Sequence, residues 1–318
     1  MTRIAPVVLL GYARPEFTAR VFEQIRLAKP AQLFLVMDGP RSNKPGDADS
    51  VARTRDIVAR VDWECDVVRV YSDVNLGLKK RVSSGLTEVF SHVPEAIILE
   101  DDCLPDPSFF RYATELLERY REDPRVGVIS GSSRLRGKRV SPYSYDFSAD
   151  VRIWGWATWA RTWNSFIEAG DLDAVWSSDE AEAEAVAASL PRGARRSSVR
   201  TMMSKAAELD SWAMPFVVHC VRRGYANPVP ADNLVSNIGF GSLSTHTKFE
   251  SYVAEVPASS MTFPMEHPPD VAINRALDEW ESRRDRWETF RYPLAHPFDT
   301  AGRLLRYGRT LLRREAGH

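Results

Sequence analysis

Over the first 130 positions, short continuous apolar runs alternate with amphipathic stretches of helical length. Pro6 to Leu10 is apolar throughout and predicts a buried strand. Glu16 to Leu27 follows, with Phe17, Val21, Phe22 and Ile25 on one side at helical spacing. Gln32 to Met37 predicts a second strand, closed by the turn signal Asp38-Gly39-Pro40. A polar loop and a helix reaching about Val61 lead to a third strand, Asp66 to Tyr71. Asn75-Leu76-Gly77 then opens a helix from Leu78 to Phe90, which feeds the strand Ala96-Ile97-Ile98-Leu99. Ser108 to Arg121 predicts a helix and Val126 to Ser130 a fifth strand. Strands joined by helix-length connections predict an α/β fold with a mainly parallel sheet and helices on both faces.

Past Gly131 the periodicity loosens. Arg134 to Asp150 is loop-like, and Trp154-Gly155-Trp156-Ala157-Thr158-Trp159 packs three indoles into six residues. Ser178 to Leu190 predicts an exposed helix, Pro191 to Arg196 a basic linker, and Ser197 to Leu209 a helix leading into Asp210-Ser211-Trp212. No internal repeat is visible. This part is expected to complete a site built by the first part, without a separate core.

The fourth strand changes the picture by ending in three consecutive carboxylates, Glu100-Asp101-Asp102, ahead of Pro105-Asp106-Pro107. Hard divalent cations take oxygen ligands, and Mg²⁺ typically needs only one or two protein carboxylates, leaving room for water and phosphate. Alone, acids at a strand-to-helix turn read as solvated or capping groups. Their company matters more. Ligands of such sheets bind beyond the carboxyl ends of the strands, where Gly11-Tyr12-Ala13-Arg14, Asp38, Asn75 to Arg81 and the acidic triplet are all expected. Arg14 or Arg81 suits a phosphate, Asp38 suits a base or ribose donor, and a metal suits a diphosphate. Gly11 to Glu16 lacks a dinucleotide fingerprint, and no Walker Lys-Ser/Thr loop occurs. The set fits a nucleotide-sugar.

With 318 residues, 44% apolar, 27% charged and a formal charge of −1, the chain has no basic excess to draw nucleic acid. Cys65, Cys103 and Cys220 are scattered and odd in number, which excludes a disulfide framework and a Cys-rich zinc site and suits a reducing, cytoplasmic setting. No run approaches the ~20 apolar residues of a membrane span. Met1-Thr2-Arg3-Ile4 enters a strand directly, so no export signal is expected.

The run from Asn75-Leu76-Gly77 through Glu100-Asp101-Asp102 to Phe109-Phe110-Arg111-Tyr112 resembles the GT-A glycosyltransferases, including the Golgi N-acetylglucosaminyltransferase type that initiates complex N-glycans. Trp154-Gly155-Trp156 and Asn233 to Gly241 resemble related bacterial sugar transferases, so the resemblance covers about Pro6 to Phe249. It implies a Rossmann-like, mainly parallel sheet flanked by helices with a less regular acceptor-side part. Residues 1–130 would bind the nucleotide-sugar, 131–250 would complete the same catalytic domain, and 251–318 would form an extension.

By position, the resemblance implies that Arg14 contacts the diphosphate, Asp38 the nucleoside, and Arg81 the region of the base. Gly11, Tyr12, Glu100 and Asp101 complete the donor set. Asp102 would ligate Mn²⁺ or Mg²⁺, and His246 would approach the metal or diphosphate. Asp210 stands where these enzymes carry their base, although Ser211 and Ala213 replace acids found nearby in relatives. Trp156 and Trp212 are the acceptor-side candidates. The implied reaction is metal-dependent, inverting transfer from a nucleotide-diphosphate sugar, a UDP-sugar favoured, to a glycan or lipid-linked acceptor in bacterial surface polysaccharide or glycoconjugate synthesis.

Blander readings accompany each residue: core packing for the tryptophans, a helix cap for Asp210, a loop histidine for His246 and a solvated face for Lys79 to Arg81. Two other classes compete. A sugar nucleotidyltransferase would need a Gly-rich triphosphate loop after the first strand, and a non-catalytic nucleotide-sugar-binding protein would not turn over. Finally, residues 301–314 place Leu304, Leu305, Gly308, Leu311 and Leu312 in an arc of about 120° opposite Arg303, Arg306, Arg309, Arg313 and Arg314. That pattern predicts an amphipathic helix contacting the inner face of an anionic membrane, or docking on the protein's own surface.

Overall fold

The computed structural model describes residues 3–174, 184–186, 188, 190, 194–205, 210–239 and 256–295. Four parallel strands form its centre: β1 (Val7–Gly11), β2 (Gln32–Met37), β3 (Asp66–Tyr71) and β4 (Glu95–Glu100). Their connections are α1 (Pro15–Ala28), α2 (Asp47–Val58) and α3 (Leu78–His92). Beyond β4 come β5 (Cys103–Pro105), α4 (Ser108–Arg119), β6 (Val128–Ser130), β7 (Tyr145–Ser148), β8 (Trp156–Trp159) and α5 (Ala160–Glu168). Then follow α6 (Ala194–Lys205), α7 (Ala213–Arg222), β9 (Asn227–Pro230), β10 (Val235–Asn237) and α8 (Arg275–Ala295).

The six-stranded sheet runs β3-β2-β1-β4-β8-β6. The sheet is mainly parallel, as expected, and β8 is the exception, antiparallel to both β4 and β6. The tryptophan-rich segment therefore lies inside the sheet. A four-residue strand buried on both faces has no polar alternation to announce it.

Side-chain alternation along the parallel strands divides the core in two. Val8, Leu10, Phe34, Val36 and Ile98 meet Trp156, Trp163, Trp212 and Phe216 on one face, which α3, α5 and α7 cover. Val7, Leu9, Leu33, Leu35, Ile97 and Leu99 meet Phe22, Phe109, Leu116 and Trp159 on the other, under α1 and α4. Each fully buried aromatic or aliphatic side chain contributes about 1.5–3 kcal/mol. Both faces are thus closed by apolar helices, and polar function is left to the strand ends.

Register brings those ends together. Gly11 lies opposite Met37, and Leu10 opposite Glu100, so the carboxyl ends of β1, β2 and β4 form one edge. The hairpin-like pairing of β10 with β5 closes over that edge, where Ile238 N–H donates to the Asp102 carbonyl at 2.8 Å. Residues 301–314 lie outside the described residues, and no described helix is long and apolar enough to cross a membrane.

Candidate functional site

Arg14 is the last residue before α1, and Pro15 fixes the start of that helix directly behind it. Its carbonyl accepts from the Thr18 N–H and hydroxyl at 3.0 and 2.9 Å, which anchors the backbone and leaves the guanidinium to reach β4. There Nη2 lies 2.5 Å from Asp101 and Nη1 lies 2.8 Å from Asp102. The Tyr12 N–H also donates to Asp101 at 3.3 Å. Burial works against the charge on Arg14, but Asp101 and Asp102 outweigh it and hold the guanidinium more firmly protonated than usual.

Charge in this cluster is unbalanced. Three successive acids face one arginine. Burial first, and then the charges of Asp102 and Asp101, push the Glu100 carboxyl well above its ordinary range. Asp101 is pushed upward too, chiefly by burial, against the opposing pull of Arg14. Carboxylates crowded in this way favour an added cation.

Among the described residues, no three metal-binding side chains converge. The arrangement instead suits a hard ion held by Asp102 together with groups of a bound diphosphate and water. Asp102 is partly open, with 14% of its side chain exposed. Its carboxylate rests against Gly239, where a Cβ would collide with both the carboxylate and its Cβ, so this close approach requires glycine. Gly239 could not be found from sequence, since nothing local marks it as the neighbour of Asp102.

At the end of β2, Asp38 does not present a free carboxylate. It accepts from the N–H groups of Gly39 (2.9 Å), Leu76 (2.9 Å) and Gly77 (3.2 Å) and from the Asn75 amide (3.0 Å). The expected nucleoside acceptor therefore shapes the 75–77 turn. Arg81 follows on α3, buried beside Gly85, whose missing Cβ makes room first for Val36 and then for the guanidinium. Burial lowers its pKa while Asp38 and Glu88 pull the other way, and its Nε has no hydrogen-bond partner.

Tyr12 turns its ring away from the acids. Its hydroxyl donates to Asp47, accepts from Arg41 Nε at 3.0 Å, and is pushed up to about 12 by burial and the Asp47 contact. Asp47 and Arg41 thus brace the β1 loop. Asp47 at the first turn of α2 reads from sequence as an ordinary helix-start acid.

Asp210 sits beyond the α6 region and accepts from the Leu78 and Lys79 N–H groups at 3.2 and 3.1 Å. It caps α3, whose entry is Gly77 at φ +80°, a conformation that other residues rarely adopt. The cap expected from its position was that of the helix now labelled α7. Asp210 remains exposed, so its carboxylate is accessible to a substrate hydroxyl.

The acceptor-side tryptophans are corrected. Trp156 is 0% and Trp212 1% exposed, and their rings stack at 5.8 Å with Phe216 against Trp156 at 5.2 Å. Neither offers a face to a sugar. Both are apolar rings enclosed by α5 and α7, so core packing accounts for them. His246 lies outside the described residues.

No known family model matches the chain, and no curated protein matches it. Among solved structures it is similar to a UDP-glucose pyrophosphorylase complexed with UDP-glucose, at 11% identity over 51% of this chain and 79% of that one, with a TM-score of 0.30. It is also similar to 4-diphosphocytidyl-2C-methyl-D-erythritol synthase from Anaerococcus prevotii, at 9% identity over 52% and 76% of the two chains, with a TM-score of 0.32. Neither is a glycosyltransferase, and at such scores neither carries an argument about mechanism.

Proposed function

We propose that the cluster at the ends of β1 and β4 binds a nucleotide-diphosphate sugar, a UDP-sugar by preference, and that the protein transfers the sugar to a hydroxyl of a glycan or lipid-linked acceptor. The observation that carries this reading is the strand-end charge pattern: Glu100, Asp101 and Asp102 set against the single guanidinium of Arg14. Such a group can hold a cation and a diphosphate side by side. Arg14 supplies planar donors suited to phosphate oxygens. A Mg²⁺ or Mn²⁺ held by Asp102 would supply compensation for charge developing on the leaving diphosphate. Asp210, exposed and fixed by two N–H groups of α3, is the candidate base for the acceptor hydroxyl.

The second reading is a sugar nucleotidyltransferase, which is the class of both structural neighbours. Triphosphate binding after β1 would draw on backbone N–H groups, and here the Tyr12 N–H is already committed to Asp101. One comparison separates the readings. A panel of nucleotide-sugars with Mn²⁺ and glycan acceptors should release nucleoside diphosphate in proportion to acceptor. Nucleoside triphosphates with sugar 1-phosphates should release no pyrophosphate. Pyrophosphate release without diphosphate release would replace the transferase by the nucleotidyltransferase, and tight nucleotide-sugar binding with neither product would leave a binding protein.

A further inference from the structure

We infer that Arg14 is a displaceable internal cation, which holds Asp102 while the site is empty of donor and yields it when a divalent ion arrives with a diphosphate. The inference rests on the nucleotide-sugar reading above and adds an exchange step to it. The two halves of the Arg14 bridge are unequal. Asp101 is the fixed half, with 3% of its side chain exposed and both the Tyr12 N–H and Arg14 Nη2 directed at it. Asp102 is the looser half, with 14% exposed and Arg14 Nη1 at 2.8 Å on Oδ2.

Around Asp102 the structure fixes the backbone and leaves the carboxylate exchangeable. The Ile238 N–H holds its carbonyl at 2.8 Å, and Gly239 packs against the carboxylate without offering it a hydrogen bond from a side chain. Among the described residues, the other hydrogen-bond donor to the carboxylate is the Cys103 thiol, a weak donor at 3.7 Å from Oδ1. Arg14 itself is 27% exposed and leans out of the β1 loop toward the strand ends. Releasing Nη1 from Asp102 while Nη2 stays on Asp101 turns one arm of the fork toward the position of a diphosphate and costs no unpaired acid, because the arriving ion takes over Asp102. The exchange keeps the cluster compensated at every stage.

Two consequences distinguish this from an arginine that only positions phosphate. A divalent ion alone must compete with Arg14 and so binds weakly, whereas ion and nucleotide together bind cooperatively, each strengthening the other. Removing the guanidinium should reverse the first effect and weaken the second, which then keeps only the direct ligation of the ion by the diphosphate.

The test is titration of the full chain with Mn²⁺, reading free ion by electron paramagnetic resonance, with and without UDP. For Arg14→Gln, Mn²⁺ alone should bind at least tenfold more tightly than to the wild type, and the mutual strengthening with UDP should fall at least threefold. Adding Asp102→Asn to Arg14→Gln should remove the gained affinity. Arg14→Lys is the reserve variant if Arg14→Gln melts early, since one ammonium cannot bridge both acids as the fork does; the same changes of at least threefold are expected. If Mn²⁺ alone binds Arg14→Gln and wild type equally, while Asp102→Asn still removes that binding, the exchange is refuted and the metal site stands. If no Mn²⁺ binding depends on Asp102 in any variant, the metal assignment itself fails and takes the exchange with it.

Discussion

Asp210 joins two roles that a single substitution can separate. Its carboxylate caps α3 with one oxygen on the Leu78 N–H and the other on the Lys79 N–H, and an asparagine keeps one of these two bonds. Asparagine cannot accept a proton from a hydroxyl. Asp210→Asn should therefore cost no more than about 1 kcal/mol of stability and lower turnover by roughly two to four orders of magnitude. Asp210→Ala should lose the cap as well, at about 0.5–2 kcal/mol. Normal turnover per folded molecule in Asp210→Asn would make the residue a cap only. At this scale the sequence was most legible where a residue's meaning is local, as for Arg14 and the acidic triplet at strand ends. It was least legible where the partner is remote: Asp38 is filled by the 75–77 turn, and Asp102 is backed by Gly239.

Among the elements, the helices and parallel strands of the first 130 residues follow the apolar periodicity closely, with Gln32–Met37 and Asp66–Tyr71 matching residue for residue. The strands that were missed, β5, β7, β8, β9 and β10, are three or four residues long, and their pairing depends on contacts remote in sequence. Helix α8 docks through such a contact. Asp278 accepts from the Ser148 hydroxyl at 2.5 Å and the Ala149 N–H at 3.1 Å, beside Asp150, Glu281, Asp285 and Arg134. Burial, against the pull of those two donors and with help from Asp150 and Glu281, raises its pKa to about 6.

A carboxyl raised on folding stabilises the folded state below its unfolded value near 4 and loses that contribution as pH rises to its folded value. Asp278→Asn can keep both contacts, with the amide oxygen on Ala149 and the amide N–H on Ser148. Its stability relative to wild type should therefore be near zero below about pH 3, climb as pH rises to about 6, and level off at roughly 1–3 kcal/mol in its favour above that. Chemical denaturation across this range checks it, and a difference that stays constant with pH would show that Asp278 does not carry the titration.

For the molecule as a whole, two apolar cores clamp a sheet whose polar end gathers Arg14, Glu100, Asp101 and Asp102, with Ile238 and Gly239 packed against Asp102. This division places stability in the layers and leaves the polar groups at one edge, where ligands of such sheets bind. It also explains why the tryptophan motif misled: large rings near a sugar site suggest stacking, but Trp156 belongs to a central strand and Trp212 to the helix layer that covers it. The central claim is that the acid cluster is a site for a metal-bound diphosphate. It is tested most directly by the melting temperature of wild type and Asp102→Asn with UDP, Mn²⁺, or both. A ligand that binds the folded state at a hundred times its Kd stabilises by about 2.7 kcal/mol. The wild type should melt several degrees higher only when UDP and Mn²⁺ are both present, and Asp102→Asn should lose that rise while melting normally without ligand. An equal rise in the two proteins would contradict the claim.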